Sequence, residues 1–287
     1  MRFRMPLLHK RAARTKALIQ SVFLSACFLL SIGCSLQPLE HPLDPTTLQG
    51  LLLSLSLTPS AEQLPVSGVS FWIRANDAVN QSGLTYVPDR SGYGSSVTGP
   101  QIPIDASIVN GRPAARFSGS SRLFGWANQL ESNVFSILVV FRNGAPPPTA
   151  SHQSLLITGA ASGGIQFALN PASAFLASLK SNSGALFTGV TSNSNTAVFN
   201  IGSITYDPGG NGVMYLNGTS DVSGTNVQTF TQDGSLSIGG RNDNSAYFTG
   251  HIAEVIIYTR SLSVSDRELL ECYLSRRYAI SVPFACQ

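Results

Sequence analysis

Few side chains in this sequence are placed to do covalent chemistry. Of its four histidines, His9 and His41 fall near the N-terminus, which leaves His152 and His251 as bases for a nucleophile. No Gly-x-Ser-x-Gly elbow accompanies them, and no paired His/Cys spacing suits zinc. Glu254 stands alone in an apolar run, while Glu268 and Glu271 belong to a predicted helix. No strand therefore offers two carboxylates for the two sides of one glycosidic bond. Asp207-Pro208-Gly209-Gly210-Asn211-Gly212 lacks the lysine and following helix of a phosphate loop and reads as a turn. Two kinds of site remain. Asp77, Asp89 and Asp207 lie in turn-like contexts that could lend oxygens to calcium, although an aspartate there also bonds its own backbone. Trp126 in Gly125–Gln129, Tyr93 in Ser91–Gly94, and Tyr247 beside Asn242, Asp243 and Asn244 set rings among polar neighbours. A sugar stacks its C–H face on such a ring; packing at a domain edge is the alternative for each. Trp72 reads as core.

The elements that would hold these residues are strands. The 287 residues are 43% apolar, enough for a core, but only 11% charged, about half the usual share. That charge content excludes a coiled coil or long solvated helices, and 26 Gly and 16 Pro scattered among β-branched and aromatic residues point to an all-β chain. The formal charge of +3 is local: residues 1–33 hold six of the 18 Lys and Arg and no acid. Without them 12 basic groups face 15 acidic ones, so the domain has no electrostatic footprint for nucleic acid.

Residues 1–33 read as an export signal, because the basic segment 1–16 is followed by a charge-free, mostly apolar run from Ala17 to Gly33. A permanent anchor is the alternative, but Gln20, Ser21, Ser25 and Ser31 weaken a run already short for a bilayer. Leu30-Ser31-Ile32-Gly33-Cys34 resembles a bacterial lipobox, with Ser31 where an aliphatic residue usually stands. Leu24-Ser25-Ala26-Cys27 fits that pattern better but leaves a shorter apolar run and Phe28-Leu29-Leu30 at the new N-terminus. Cleavage before Cys34 is favoured over Cys27, with ordinary cleavage and no lipid as a third outcome. The resemblance implies an acylated, membrane-anchored protein at the outer membrane or cell surface. Residues 34–65 form a tether, interrupted by the apolar stretch Leu48–Leu57.

From Val66 to Gln287 the pattern is that of one β domain. Short apolar runs are separated by Gly, Asn, Ser and Pro clusters: 69–74, 114–117, 134–141, 154–158, 165–169, 197–206, 213–216, 235–238 and 252–259. Tyr215-Leu216-Asn217-Gly218 marks a tight hairpin. One short C-terminal helix is predicted, capped by Ser263 with Asp266 three residues on, and with Leu269, Leu270, Tyr273, Leu274 and Arg277 facing the body. Simple alternation in 252–258 puts Ala253, Val255 and Ile257 on one face and Ile252, Glu254, Ile256 and Tyr258 on the other. Both faces are apolar, which makes this a central, twice-covered strand. Glu254 is then partly buried and needs a partner, with Arg241, Arg260 or Arg116 as candidates.

Several motifs occur in a telling order. Phe71-Trp72-Ile73-Arg74-Ala75-Asn76-Asp77 opens the domain; Asp89-Arg90-Ser91-Gly92 and Asn110–Gly119 follow; Ile238–Arg241, Phe248–Arg260 and Tyr273–Tyr278 close it. This succession resembles the bacterial laminin G-like domains of the concanavalin A-like lectin/glucanase superfamily over residues 66–281. The resemblance implies two packed antiparallel sheets in a jelly-roll sandwich. Arg74 stands where relatives often carry an acid, and an ion of the kind they often hold would be calcium. Glucanases of this fold place E-x-D-x-x-E or E-x-D-x-E on one strand, and no such run exists here.

The expected function is a lipid-anchored binding module that engages a glycan or an extracellular protein through its loops, without catalysis. The rivals are a polysaccharide hydrolase or lyase with unfamiliar catalytic residues, and a structural cell-surface component. Outside residues 1–34 the chain has two cysteines, Cys272 in the helix and Cys286 beyond Pro283. In an oxidising compartment these two are expected to bridge, pinning the tail to the helix; a buried Cys272 with a frayed terminal Cys286 is the alternative.

Overall fold

The computed structural model describes residues 62–144, 152–159, 164–169, 174–181, 184–193, 198–207, 211–225 and 233–286. The export signal, both lipidation candidates Cys27 and Cys34, and the tether up to residue 61 lie outside the described residues. The strands come in chain order as β1 (Phe71–Arg74), β2 (Val79–Gln81), β3 (Leu84–Val87), β4 (Val97–Pro100), β5 (Ile104–Val109) and β6 (Arg112–Ser118). Next are β7 (Leu123–Trp126), β8 (Phe135–Asn143), β9 (Gln153–Thr158), β10 (Gly164–Leu169), β11 (Ala174–Ser181) and β12 (Gly184–Asn193). Then follow β13 (Asn200–Tyr206), β14 (Asn211–Leu216), β15 (Thr219–Thr225), β16 (Ser235–Ile238), β17 (Thr249–Tyr258) and the helix α1 (Val264–Tyr278).

They make a jelly-roll sandwich of two antiparallel sheets. The eight-stranded sheet runs β15-β14-β13-β8-β17-β6-β5, with β1 also on β17; the nine-stranded one runs β12-β11-β10-β9-β16-β7-β4-β3-β2. All nine apolar runs in the sequence are strands. The additional strands, such as β2 and β3, mix polar and apolar residues and carry less contrast. Phe71, Phe117, Phe141, Phe167, Tyr206 and Phe248 fill the space between the sheets. A second core, including Trp72, Leu138, Ile256, Tyr258, Leu270 and Tyr278, lies between the eight-stranded sheet and α1. The eight-stranded sheet is thus covered by α1 as well, while in the nine-stranded one β9, β10 and β16 are buried throughout and, among the described residues, β2, β3, β4 and β7 leave outward residues exposed. This asymmetry positions the site.

β17 is central and twice-covered, as its apolar faces require, but its alternation breaks at one point. Its register against β8 shifts between Ile252 and Glu254, which makes Ala253 the extra residue of a β-bulge. Ile252 consequently joins Val255 and Ile257 between the sheets, while Ala253 joins Ile256 and Tyr258 under the helix. Simple alternation had these two residues exchanged. The helix begins as expected: the Ser263 hydroxyl accepts from the Asp266 N–H at 3.1 Å. Its buried stripe contains Leu270, Leu274 and Arg277 as expected but differs at one edge, because Leu269 is 51% exposed while Arg267 and Glu271 are buried. The Asn217-Gly218 hairpin joins β14 to β15 with φ of 50° and 80°, the positive angles such a turn requires. Cys272 and Cys286 are joined, their Cα atoms 5.3 Å apart, which lays Phe284 within reach of the Arg267 guanidinium.

Candidate functional site

The acids are structural. Glu254, 1% exposed, projects from β17 under α1 and accepts from Trp72 Nε1 at 2.6 Å, Tyr278 OH at 2.7 Å and Tyr273 OH at 3.1 Å. Its cation is Arg277 of the helix, 3.2 Å away. None of the three arginines named from sequence serves: Arg116 pairs with Asp105, Arg241 with Asp243 and Arg260 with Asp266. Burial pushes the Glu254 carboxyl above its ordinary range, against the pull of Tyr278, Arg277 and Trp72. Glu271, wholly buried, accepts from Ser203 Oγ and Arg267; burial raises it as well, against the Arg267 charge. Neither carboxylate can reach a substrate from beneath the helix.

His251 sits on β17 between Arg116 of β6 and Arg142 of β8. Its Nε2 lies 2.9 Å from Asp105 Oδ2, and Arg142 Nη2 lies 3.3 Å from its Nδ1. A guanidinium only donates, so this network assigns the proton to Nε2 and leaves Nδ1 accepting. Burial lowers the His251 pKa and Arg142 lowers it further, against the opposing pull of Asp105. With its basic nitrogen held by a cation, His251 is not poised to activate a nucleophile. His152 is exposed.

The aspartates proposed for calcium are engaged within the protein. Asp77 accepts from Arg74 at 3.0 Å and Arg90 at 3.2 Å; burial alone would raise its carboxyl, and these cations hold it lower. Asp89 accepts from the backbone N–H groups of Trp72, Ser91 and Ser95 and from the Ser91 hydroxyl, so it organises its turn. Asp207 is exposed after β13. Among the described residues, no group of three or more His, Cys, Asp or Glu is arranged to hold a metal ion. The Arg74 and Arg90 guanidiniums lie 5.2 and 4.9 Å from the Trp72 ring centroid, and Trp72 is core as expected.

The aromatic candidates separate. Tyr93 is 65% exposed beside an open depression of about 300 Å³ lined by Gly68, Val69, Ser91 and Gly92. Trp126 belongs to a larger surface on the outer face of the nine-stranded sheet. In β7, Leu123 and Gly125 point inward, and Phe124 and Trp126 point out. Their rings meet edge to face at 5.7 Å. Thr98 of β4 lies between Phe124 and Tyr86 of β3, and Tyr86 in turn lies opposite Val79 of β2. Trp126 is 57% exposed, Tyr86 48%, and Val79 and Leu84 extend the strip to the sheet edge. On the other side, Ser235 and Ser237 of β16 oppose Trp126 and Phe124. Gly125 is needed there, since a Cβ would stand 2.6 Å from the Ser96 carbonyl oxygen of the neighbouring chain segment.

The loop 239–247 forms a polar rim to this strip. Asn242 donates to Ser235 Oγ at 3.0 Å and to the Gly159 carbonyl at 2.9 Å. Arg122 lies across the Phe124 ring, 5.2 Å from its centroid, and reaches Asn244 Oδ1 at 3.2 Å. Half-buried Tyr247 joins the same rim, because a Cβ on Gly240 would touch both Tyr247 Cδ1 at 2.7 Å and Arg122 Cβ at 3.3 Å. Two of the three aromatics named from sequence therefore flank one surface, and Tyr93 does not. Sequence reasoning missed Tyr86, Phe124 and Arg122. The period-two alternation of Leu123-Phe124-Gly125-Trp126 was the available signal, obscured by a glycine that usually weakens a strand.

Residues 128–266 match a family model described as the Concanavalin A-like lectin/glucanases superfamily. The match begins after the Phe71–Asp77 and Asn110–Gly119 motifs and covers a shorter stretch than the resemblance of 66–281. No curated protein sequence matches the chain significantly. Similar solved structures include the botulinum neurotoxin type G receptor-binding domain, with a TM-score of 0.56 and 14% identity over 73% of this chain and 52% of that one. The binding domain of Paraclostridial Mosquitocidal Protein 1 aligns at TM-score 0.57 and 16% identity, over 72% and 52% of the two chains. A structure of botulinum neurotoxin type C, whose cell entry depends on interaction with two ganglioside molecules, aligns at 0.56 and 14%, over 71% and 51%. This chain spans about half the length of those structures, and at such identities the likeness is one of fold.

Proposed function

We propose that the chain, whose residues 128–266 match a model of the concanavalin A-like lectin/glucanases superfamily, is a non-catalytic recognition module. It holds a glycan on the outer face of its nine-stranded sheet. The observation that carries this reading is the strip of Tyr86, Phe124 and Trp126 on the outward side of β3 and β7, rimmed by Arg122 and the exposed amide of Asn244. Exposed aromatics among polar groups offer both stacking and hydrogen bonding to a sugar. The burial of Glu254 and Glu271 supports binding without hydrolysis. In the same proposal the chain is exported and tethered to the membrane through an acylated Cys34, so that the domain faces outward from the outer membrane or cell surface.

Wild-type protein and Trp126→Ala are compared on a glycan panel. Trp126→Ala should lose more than tenfold in affinity with an unchanged unfolding midpoint, as loss of an anchoring aromatic does. Release of shortened products by the wild type, or equal binding by the variant, would overturn the proposal. Cys34→Ala should move the protein from the membrane to the soluble fraction; release by Cys27→Ala alone would move the lipid to Cys27.

A further inference from the structure

We infer that the saccharide recognised at this face bears a carboxylate, as in a uronic acid, and that Arg122 reads it. This inference rests on the glycan reading above and names the ligand class of the same surface. Among the described residues, the Arg122 guanidinium has no carboxylate partner. Its Nε and Nη2 both donate to Asn244 Oδ1, at 3.3 and 3.2 Å, its Nη2 also reaches the Asn242 carbonyl at 3.4 Å, and its Nη1 reaches Ser237 Oγ at 3.4 Å. Every acceptor is neutral, and every distance is at or beyond the long end for N–H···O bonds. The nearby acid does not compensate it, because Asp243 is held by Arg241 at 3.1 Å and by the Ser245 hydroxyl, which with Arg241 keeps its carboxyl below the ordinary range.

The two donors that Asn244 occupies, Nε and Nη2, lie on one edge of the guanidinium, the edge that grips a carboxylate with two parallel bonds. Asn244 is exposed, so its side chain can swing out and yield that edge to an anionic group. Charge-assisted bonds then replace weak neutral ones. Stacking of the guanidinium on Phe124 fixes its plane, and Trp126 beside Phe124 is placed to take an adjoining sugar ring. Charge complementarity therefore selects an acidic chain over a neutral one at a surface whose rings would accept either.

Binding is measured by calorimetry with the intact protein, using a galacturonate tetrasaccharide, its methyl ester and a sulfated oligosaccharide of equal length. The methyl ester keeps the sugar rings and removes only the charge. The acid form should bind about tenfold more tightly than the ester, and Arg122→Gln should bring the two to equal affinity without moving the unfolding midpoint. Trp126→Ala should weaken both. If acid and ester bind the wild type equally while Trp126→Ala still weakens both, the carboxylate inference falls and the glycan reading stands. Tighter binding of the sulfated chain than of the uronate would likewise overturn the carboxylate assignment. If none of the three saccharides binds and the wider glycan panel is also negative, the glycan reading itself fails.

Discussion

Glu254→Ala is expected to be among the most damaging single changes in the domain, without involving the glycan face. It takes the carboxylate from beside the buried Arg277 guanidinium and removes the acceptor of Trp72 Nε1 and Tyr278 OH. Removing one member of a buried ion pair costs roughly 3–5 kcal/mol, and each orphaned buried donor about 1–3 kcal/mol. These losses share one cavity and do not add, so the expected cost is about 4 kcal/mol. For a domain of this size that lowers Tm by roughly 8–16 °C. Urea unfolding at pH 7 reads it as a lower midpoint with an unchanged m-value. Glu254→Gln keeps an acceptor of the same shape and should cost about half as much. The carboxyl is raised in the folded state, so between its unfolded value near 4.5 and its folded value the native protein holds more proton than the unfolded chain. Stability from this group is full below that window and falls as pH rises through it; Glu254→Gln should flatten that slope. A cost for Glu254→Ala below about 1.5 kcal/mol would refute the reasoning, as would lost glycan affinity in a folded Glu254→Gln protein.

Joining Cys272 to Cys286 closes a loop of 14-residue separation, so the Cys272→Ala/Cys286→Ala variant should lose about 3 kcal/mol; reductant should destabilise the wild type equally and the variant not at all. Ala279 ends α1 in the left-handed region at φ 54° with its side chain exposed, and Ala279→Gly should stabilise by about 0.5–1 kcal/mol in the same urea assay. His251 has its pKa lowered from 6.5 in the fold, so the unfolded chain takes up its proton first as pH falls. Wild-type stability should decline through that range, and His251→Gln should decline less.

Much of the architecture was legible because it is local. Nine apolar runs marked strands, Asn217-Gly218 marked a hairpin, Ser263 marked the helix start, and two apolar faces marked 252–258 as the central strand. The need of Glu254 for a partner could be read too, since a carboxylate between two apolar covers must be satisfied. Its partner could not. Arg116, Arg241 and Arg260 each have an aspartate close by, and Arg277 reaches Glu254 only because α1 packs across the outer face of the eight-stranded sheet. The bulge at Ala253 was hidden for the same reason: it is a property of the register between β17 and β8 and has no signature along one strand. The recognition surface divides in the same way. Composition identified Trp126 and Tyr247 as rings among polar residues, but Tyr86 joins them through β4, and Arg122 and Asn244 are 122 residues apart in sequence. Residue types and their periodicity fix which strands and turns form, because those depend on near neighbours. Which side chains share a face, and which arginine is left without an acid, follows from strand order and register, and these exist only once the sheets have assembled.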